Sequence, residues 1–223
     1  MSPARTGADL THVDAWLFDL DDTLYPPSSG LMALIRDRIT DYIVRISGMG
    51  YDEARTVQRS WYEAHGASLP GLLERYEAEP ADFLAYVHDL SLDVIAENLA
   101  LDAALAALPG RRFVFTNGSL GHAERVLAKL GIASRFEGIF HIEAAQLLPK
   151  PAAATYDRMI AAFGIAPAAT CFFEDSPKNL ERAHALGMTT VLVGEHAAPA
   201  PHIDYTSPDL LSFLTSARVK ETA

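Results

Sequence analysis

The chain has 223 residues, 49% of them hydrophobic, with 18 Lys plus Arg against 29 Asp plus Glu and a formal net charge of −11. That length and apolar content supply a sizeable core and exclude a disordered chain. The acidic balance argues against binding nucleic acid polymers or anionic membranes through bulk electrostatics, so an anionic ligand would need a local cationic site.

The one cysteine, Cys171, lies in the apolar stretch ATCFF, where a buried, inert thiol is expected; it can form no internal disulfide and fits a reducing compartment. No run approaches the ~18 apolar residues of a membrane span, and MSPARTGADLTH lacks the apolar core of a signal peptide. A cytoplasmic location is expected. The Asn117-Gly118-Ser119 sequon is discounted on that basis.

In chain order, residues 14–19 (DAWLFD) form a short apolar run ending in acids, the pattern of a buried parallel strand opening into a loop. Ser28 or Ser29 can cap a helix whose apolar positions Leu31, Leu34, Ile35, Ile39, Tyr42, Ile43 and Ile46 follow helical spacing, and Gly48 can stop it. YDEARTVQRSWYEAHG, ADFLAYVHDL and the Ala/Leu-rich segment around 94–108 also favour helix. Alternation then begins. Strands are expected at 111–118 and 136–142 and in ATCFFED, with a last one in TTVLVG. Helices are expected at 122–131 and 153–164 and in SPKNLERAHALG, where Ser176 caps and Pro177 takes the first position. AAPAPHIDYTSP reads as a Pro-rich loop.

The fold class expected is α/β, a doubly wound parallel sheet interrupted by an α-helical insertion. The core would comprise 12–24 and 96–215, the insertion 25–95, and the termini 1–11 and 216–223.

Four loops follow these strands: Asp19-Leu20-Asp21-Asp22-Thr23, Thr116-Asn117-Gly118, Lys150-Pro151, and Glu174-Asp175-Ser176-Pro177-Lys178-Asn179. In a parallel sheet they share one edge and can converge on one crevice. Like charges as close as Asp19, Asp21 and Asp22 repel by about 1 kcal/mol at ~4 Å even in water. A hard, oxygen-loving cation such as Mg²⁺ would offset that repulsion, drawing Asp19 and Asp175 together with Glu174 as a further ligand. No histidine pair has the spacing of a zinc site.

These motifs, in this order, resemble the haloacid dehalogenase superfamily, and the D-x-D-x-T form at residues 19–23 resembles its phosphatase branches with a helical cap of the C1 type (subfamily I). The resemblance implies a Rossmann-like core with residues 25–95 as its α-helical cap, and it implies that Asp19 is the nucleophile and forms an aspartyl phosphate. It implies that Asp21 is the general acid and base, with a pKa raised by neighbouring carboxylates, and that its backbone carbonyl joins Asp19, Glu174 and Asp175 around Mg²⁺. Thr116, Asn117 and Gly118 would hold phosphate oxygens, Lys150 would balance charge, and Asn179 would orient Lys150. Asp22 is expected to be structural, accepting backbone N–H bonds. Asp21 points away from halide displacement, which needs no such acid.

A narrower likeness is to the pyrimidine 5'-nucleotidase subgroup, carried by HGASLPGL (65–72), AYVHDL (85–90) and FTNGSLGHAERVLAKLGI (115–132). His65 and Ala67 depart from the Tyr and Thr common there. The loop from Gly66 to Gly71, with Ser68 and Leu69, is the candidate specificity element. His88 and His122 are expected to be structural; Trp16, Trp61 and Phe172 to pack; Phe83, Tyr86 and Leu90 to form the cap core. The function expected is a Mg²⁺-dependent phosphomonoesterase acting on a small phosphate ester, a pyrimidine nucleoside monophosphate above all, as a monomer or homodimer. Alternatives are a sugar phosphate or phosphoglycolate phosphatase, a phosphomutase, or a non-catalytic phosphometabolite-binding protein.

Overall fold

The computed structural model describes residues 7–220. Six parallel strands, β1 (Ala15–Phe18), β2 (Arg111–Phe115), β3 (Gly138–Phe140), β4 (Thr170–Glu174), β5 (Thr189–Val193) and β6 (Tyr205–Ser207), form one sheet in the order β3-β2-β1-β4-β5-β6. The order reverses direction between β1 and β4, which is where open α/β sheets leave a crevice beyond their carboxyl ends.

Alternate residues of each strand serve opposite faces. Trp16, Phe18, Val114, Cys171 and Phe173 join one buried cluster, with α5 (Leu99–Ala107), α6 (Leu120–Leu130) and α9 (Leu210–Ser216) against it. Leu17, Phe113, Phe115 and Phe172 join the other, covered by α7 (Ala153–Phe163) and α8 (Pro177–Ala185). Both faces are therefore dry, which explains why these strands read as continuous apolar runs. Cys171 is fully buried and its thiol pKa is pushed well up by burial, so it is inert.

Between β1 and α5 lie α1 (Leu31–Ser47), α2 (Tyr51–His65), α3 (Ser68–Arg75) and α4 (Pro80–His88). They enclose a separate cluster of Tyr42, Ile43, Trp61, Leu72, Phe83 and Val87. Gly48 in the left-handed region ends α1, with its N–H on the Val44 carbonyl. The start of that helix differs from expectation: Gly30 holds the cap position, and Ser29 Oγ instead accepts from the Leu31 N–H at 3.2 Å. Leu90 also differs, packing against the sheet-side cluster.

TTVLVG is not the last strand. Tyr205–Ser207, inside the expected Pro-rich loop, pairs with β5 through Val191↔Tyr205 to Val193↔Ser207, and α9 follows. Three residues are too few to show a period. The terminal segments are also not detached: Leu10 N–H donates to the Arg218 carbonyl and Arg218 N–H to that of Ala8, both at 2.8 Å, with Ala8 and Leu10 in the core. Of the expected termini, residues 1–6 and 221–223 lie outside the described residues. No helix among the described residues is long and apolar enough to cross a membrane.

Candidate active site

Strand register brings the loops together. Phe18 lies opposite both Val114 and Phe173, so Asp19 after β1, Thr116 after β2 and Glu174 at the end of β4 emerge side by side. Lys150 arrives from the turns after β3 and is 1% exposed. Its ammonium donates to Asp19 Oδ1 at 2.6 Å, the Phe115 carbonyl at 2.8 Å and Glu174 Oε1 at 3.1 Å. Three donors meet three acceptors, which is the condition for burying such a charge.

Asn117 holds this lysine from behind. Its Oδ1 accepts from the Lys150 N–H at 2.8 Å and its Nδ2 donates to the Lys150 carbonyl at 3.2 Å. The side-chain oxygen and one amide proton are thus engaged with the Lys150 backbone, while the second Nδ2 proton and the Asn117 backbone N–H remain as donors. The Gly118 N–H is engaged, donating to Thr116 Oγ1 at 2.9 Å. That bond uses a Thr116 lone pair and leaves the hydroxyl proton free to donate.

No hydrogen bond joins Asn179 to Lys150 among the described residues. The Asn179 Nδ2 donates to Glu174 Oε1, so it acts on the lysine through the acid. Glu174 Oε2 accepts from the N–H groups of Asp175 at 2.7 Å and Ser176 at 3.1 Å. Ser176 takes the cap position of α8 ahead of Pro177 as expected, but its hydroxyl makes no capping bond. Each Glu174 oxygen already accepts two hydrogen bonds, which fills the carboxylate's four acceptor sites. Direct ligation by Glu174 would displace one of them.

Carboxylate oxygens of Asp19, Glu174 and Asp175 lie within 4.8 Å of one another. Burial and the charge of Glu174 push Asp19 up to about 8, against the pull of Lys150. The same two causes push Asp175 up to about 10. Burial works against Glu174, yet Lys150 and the hydrogen bonds above hold it below the usual carboxylate range. One buried lysine leaves this cluster short of positive charge, and an all-oxygen donor set at this spacing fits a divalent cation, with Asp19 and Asp175 offering the free oxygens.

Asp21 turns the other way. Its Oδ1 accepts from Tyr25 OH at 2.6 Å and pairs with His122 Nε2 at 2.8 Å. Burial opposes ionisation, but His122 and the Tyr25 hydrogen bond hold the carboxyl below its ordinary value. The expected upward shift is therefore reversed, because the nearest partners are donors and not carboxylates. Asp22 differs as well: it sits at φ 60°, its Oδ1 has no hydrogen-bond partner among the described residues, and burial with Asp21 nearby pushes it up to about 6.

These residues floor a cavity of about 470 Å³ that extends up to the inserted helices, with Ile39, Phe83 and Val87 on its apolar wall and Arg36, Arg55 and Arg59 on its cationic one. Gly66, Ser68 and Leu69 line it. They are not one loop, since Ser68 opens α3. Gly66 has φ +80°, and a Cβ there would collide with the Lys150 carbonyl, so the insertion meets the lysine turn at this point. Gly71 is not among the lining residues; it lies against the Trp61 ring, where a Cβ would not fit. The sequence reading missed Tyr25 and His122 as partners of Asp21, and no spacing signal marks either.

A model of the haloacid dehalogenase-like hydrolases matches residues 13–187. Phosphate metabolism protein 8 of Saccharomyces cerevisiae is 25% identical over 193 residues, covering 79% of this chain and 60% of that protein, so the match spans less than two thirds of the relative's length. Among solved structures, a HAD phosphatase from Thermococcus onnurineus aligns with TM-score 0.61 and 20% identity over 93% of this chain and all (100%) of that one. The L-2-haloacid dehalogenase of Xanthobacter autotrophicus, with chloropropionic acid covalently bound, aligns with TM-score 0.55 and 15% identity over 91% and 97%. At these identities the two structures speak to fold alone, whereas the family match covers most of the chain, from the strand before Asp19 to the helix after Asp175. The chain belongs to the haloacid dehalogenase-like hydrolases.

Proposed function

We propose that this hydrolase is a Mg²⁺-dependent phosphomonoesterase acting on pyrimidine nucleoside 5'-monophosphates, with the helices of residues 25–95 serving as a cap over a core of 12–24 and 96–215. The observation that carries the phosphatase reading is the pairing of Asp19 with buried Lys150 at 2.6 Å, beside Asp175, while Asp21 lines the same cavity and its Oδ2 has no hydrogen bond among the described residues. A carboxylate nucleophile and a second acid on one crevice are what a two-step displacement at phosphorus needs. A dehalogenase would have no use for Asp21.

In the first step Asp21, ionised at rest, takes up a proton from the entering monoester monoanion and passes it to the leaving oxygen as Asp19 attacks phosphorus and the bond to that oxygen breaks. In the second, Asp21 takes a proton from water as the water attacks the aspartyl phosphate, releasing inorganic phosphate and restoring Asp19. Lys150 holds Asp19 in place and offsets negative charge as the phosphoryl group moves. Thr116 Oγ1, with its proton free, and the Asn117 N–H are the donors for phosphate oxygens. Mg²⁺, held by Asp19, Asp175 and the Asp21 carbonyl, would supply positive charge beside the phosphate. The buried lone thiol of Cys171 supports a reducing, cytoplasmic setting.

The nucleotide preference rests on the likeness of residues 65–72, 85–90 and 115–132 to the pyrimidine 5'-nucleotidases. A second reading is favoured by Arg36 and Arg59, which line the cavity and have no ion-pair partner among the described residues. A leaving group with its own anion, as in phosphoglycolate, would occupy them. The test is phosphate release from UMP, CMP, sugar phosphates and phosphoglycolate with Mg²⁺, with and without chelator, in wild type and D19N. Release from UMP and CMP, abolished by chelation and by D19N, is expected. Undiminished release by D19N would refute the mechanism, and a preference for phosphoglycolate would replace the nucleotide reading with the second one.

A further inference from the structure

We propose that His122 is a positioning residue for Asp21, fixing which carboxylate oxygen faces the leaving group and tying that orientation to the docked position of the cap. The inference rests on the phosphomonoesterase reading and names a residue that the reading leaves out.

Both hydrogen bonds to Asp21 converge on Oδ1, from Tyr25 at 2.6 Å and from His122 at 2.8 Å. Oδ2 has none among the described residues, and it lies on the side of Gly118, where a Cβ would stand 3.6 Å from it and 3.2 Å from His122 Cδ2. Oδ2 is thus the oxygen left for substrate. Tyr25 is only four residues from Asp21 and belongs to the same segment; His122 belongs to α6, packed on the sheet, and gives the carboxylate a reference outside that segment. The ring is deeply buried, and its Nδ1 has no partner among the described residues. A proton on Nε2, donated to Asp21, is the arrangement that leaves no buried N–H unpaired.

The link to the cap is direct. His88, the last residue of α4, stacks on His122 with ring centroids 4.3 Å apart and planes 14° from parallel. Ser119 Oγ, which accepts from the His122 N–H at 3.3 Å, also pairs with His88 Nδ1 at 3.0 Å. Arg125, one turn along α6, donates to the His88 and Leu90 carbonyls at 2.8 and 2.7 Å. The end of α4 and the carboxylate of Asp21 are therefore registered on the same helical turn. If the stack separates, His122 loses the wall that holds its ring against Asp21.

The test compares H122F, which keeps a flat ring but cannot donate, with H122Q, whose amide can. kcat/KM is measured on an alkyl phosphate and on p-nitrophenyl phosphate, because it reports the steps up to departure of the leaving group, and an acidic phenol leaves with little need of a proton. General acid catalysis contributes ~10²–10⁴-fold, so H122F should lose on the order of 100-fold on the alkyl ester and under about 5-fold on the phenyl ester, with H122Q recovering most of the loss. Equal losses on both esters, or no recovery in H122Q, would overturn the proposal. A crystal structure of H122F supplies an arm independent of turnover. Asp21 is expected rotated or in more than one orientation; a single unchanged orientation would overturn the proposal even if every phosphate ester proved a poor substrate. Failure of the wild type on both esters would instead count against the phosphomonoesterase reading.

Discussion

Replacing Lys150 with methionine keeps most of the volume of the side chain and removes its charge. In the wild type the ammonium is 1% exposed and faces Asp19 at 9% and Glu174 at 0% side-chain exposure, so solvent screens these pairs little. Removing one member of a buried ion pair costs about 3–5 kcal/mol. For a chain of this size each kcal/mol moves Tm by roughly 2–4 °C, which gives a fall of about 6–20 °C in K150M. The pH dependence has a definite sign. Burial and Glu174 already push Asp19 up to about 8, and an acid whose folded pKa exceeds its unfolded one loses stability as pH rises between the two. Without Lys150 that loss deepens, so the deficit should be larger near pH 8 than near pH 5, and Mg²⁺ should recover part of it at the higher pH. Calorimetric melts of both proteins at the two pH values, with and without Mg²⁺, provide the measurement. A fall under about 2 °C, or one that shrinks as pH rises, would refute the electrostatic account of this lysine.

G71A should destabilise the cap cluster by about 1–3 kcal/mol, because the new methyl collides with the Trp61 ring; intrinsic tryptophan fluorescence and Tm report it, and an unshifted spectrum with wild-type Tm would count against it. R36A and R59A should each raise KM for phosphoglycolate roughly 2–5-fold, the range of a solvent-exposed ion pair, and leave KM for UMP nearly unchanged; equal effects on both would remove the case for a second anionic group. His88 is held down to about 3 chiefly by burial, so the folded protein keeps it neutral while the unfolded chain protonates near pH 6.5. Its contribution is complete above that pH and is lost as pH falls toward about 3. The urea midpoint of H88F should therefore decline less than that of wild type between about pH 7 and pH 4.5, and parallel declines would contradict this.

Much of the sheet was legible because apolar runs bounded by acids, Gly and Pro encode a buried strand locally, and the four polar loops each follow one such run. Convergence of Asp19, Lys150, Glu174 and Asp175 followed from the rule that parallel strand ends share an edge. The edge was harder to see. Tyr205–Ser207 is three residues long and becomes a strand only by pairing with β5, and Ala8 and Leu10 join the core where Arg218 returns beside them.

Residue types and their order alone set the kind of chemistry available: carboxylates, one lysine and hydroxyl or amide donors at the ends of buried strands. The partner of each group was a tertiary matter. Asn117 could serve phosphate or the Lys150 backbone, Asn179 could reach the lysine or Glu174, and Asp21 could sit among acids or turn to a histidine 101 residues away. Local periodicity records which face of an element is dry. A hydrogen-bond partner is chosen by distances of about 3 Å, and those exist only once strand order and helix packing have placed remote segments side by side.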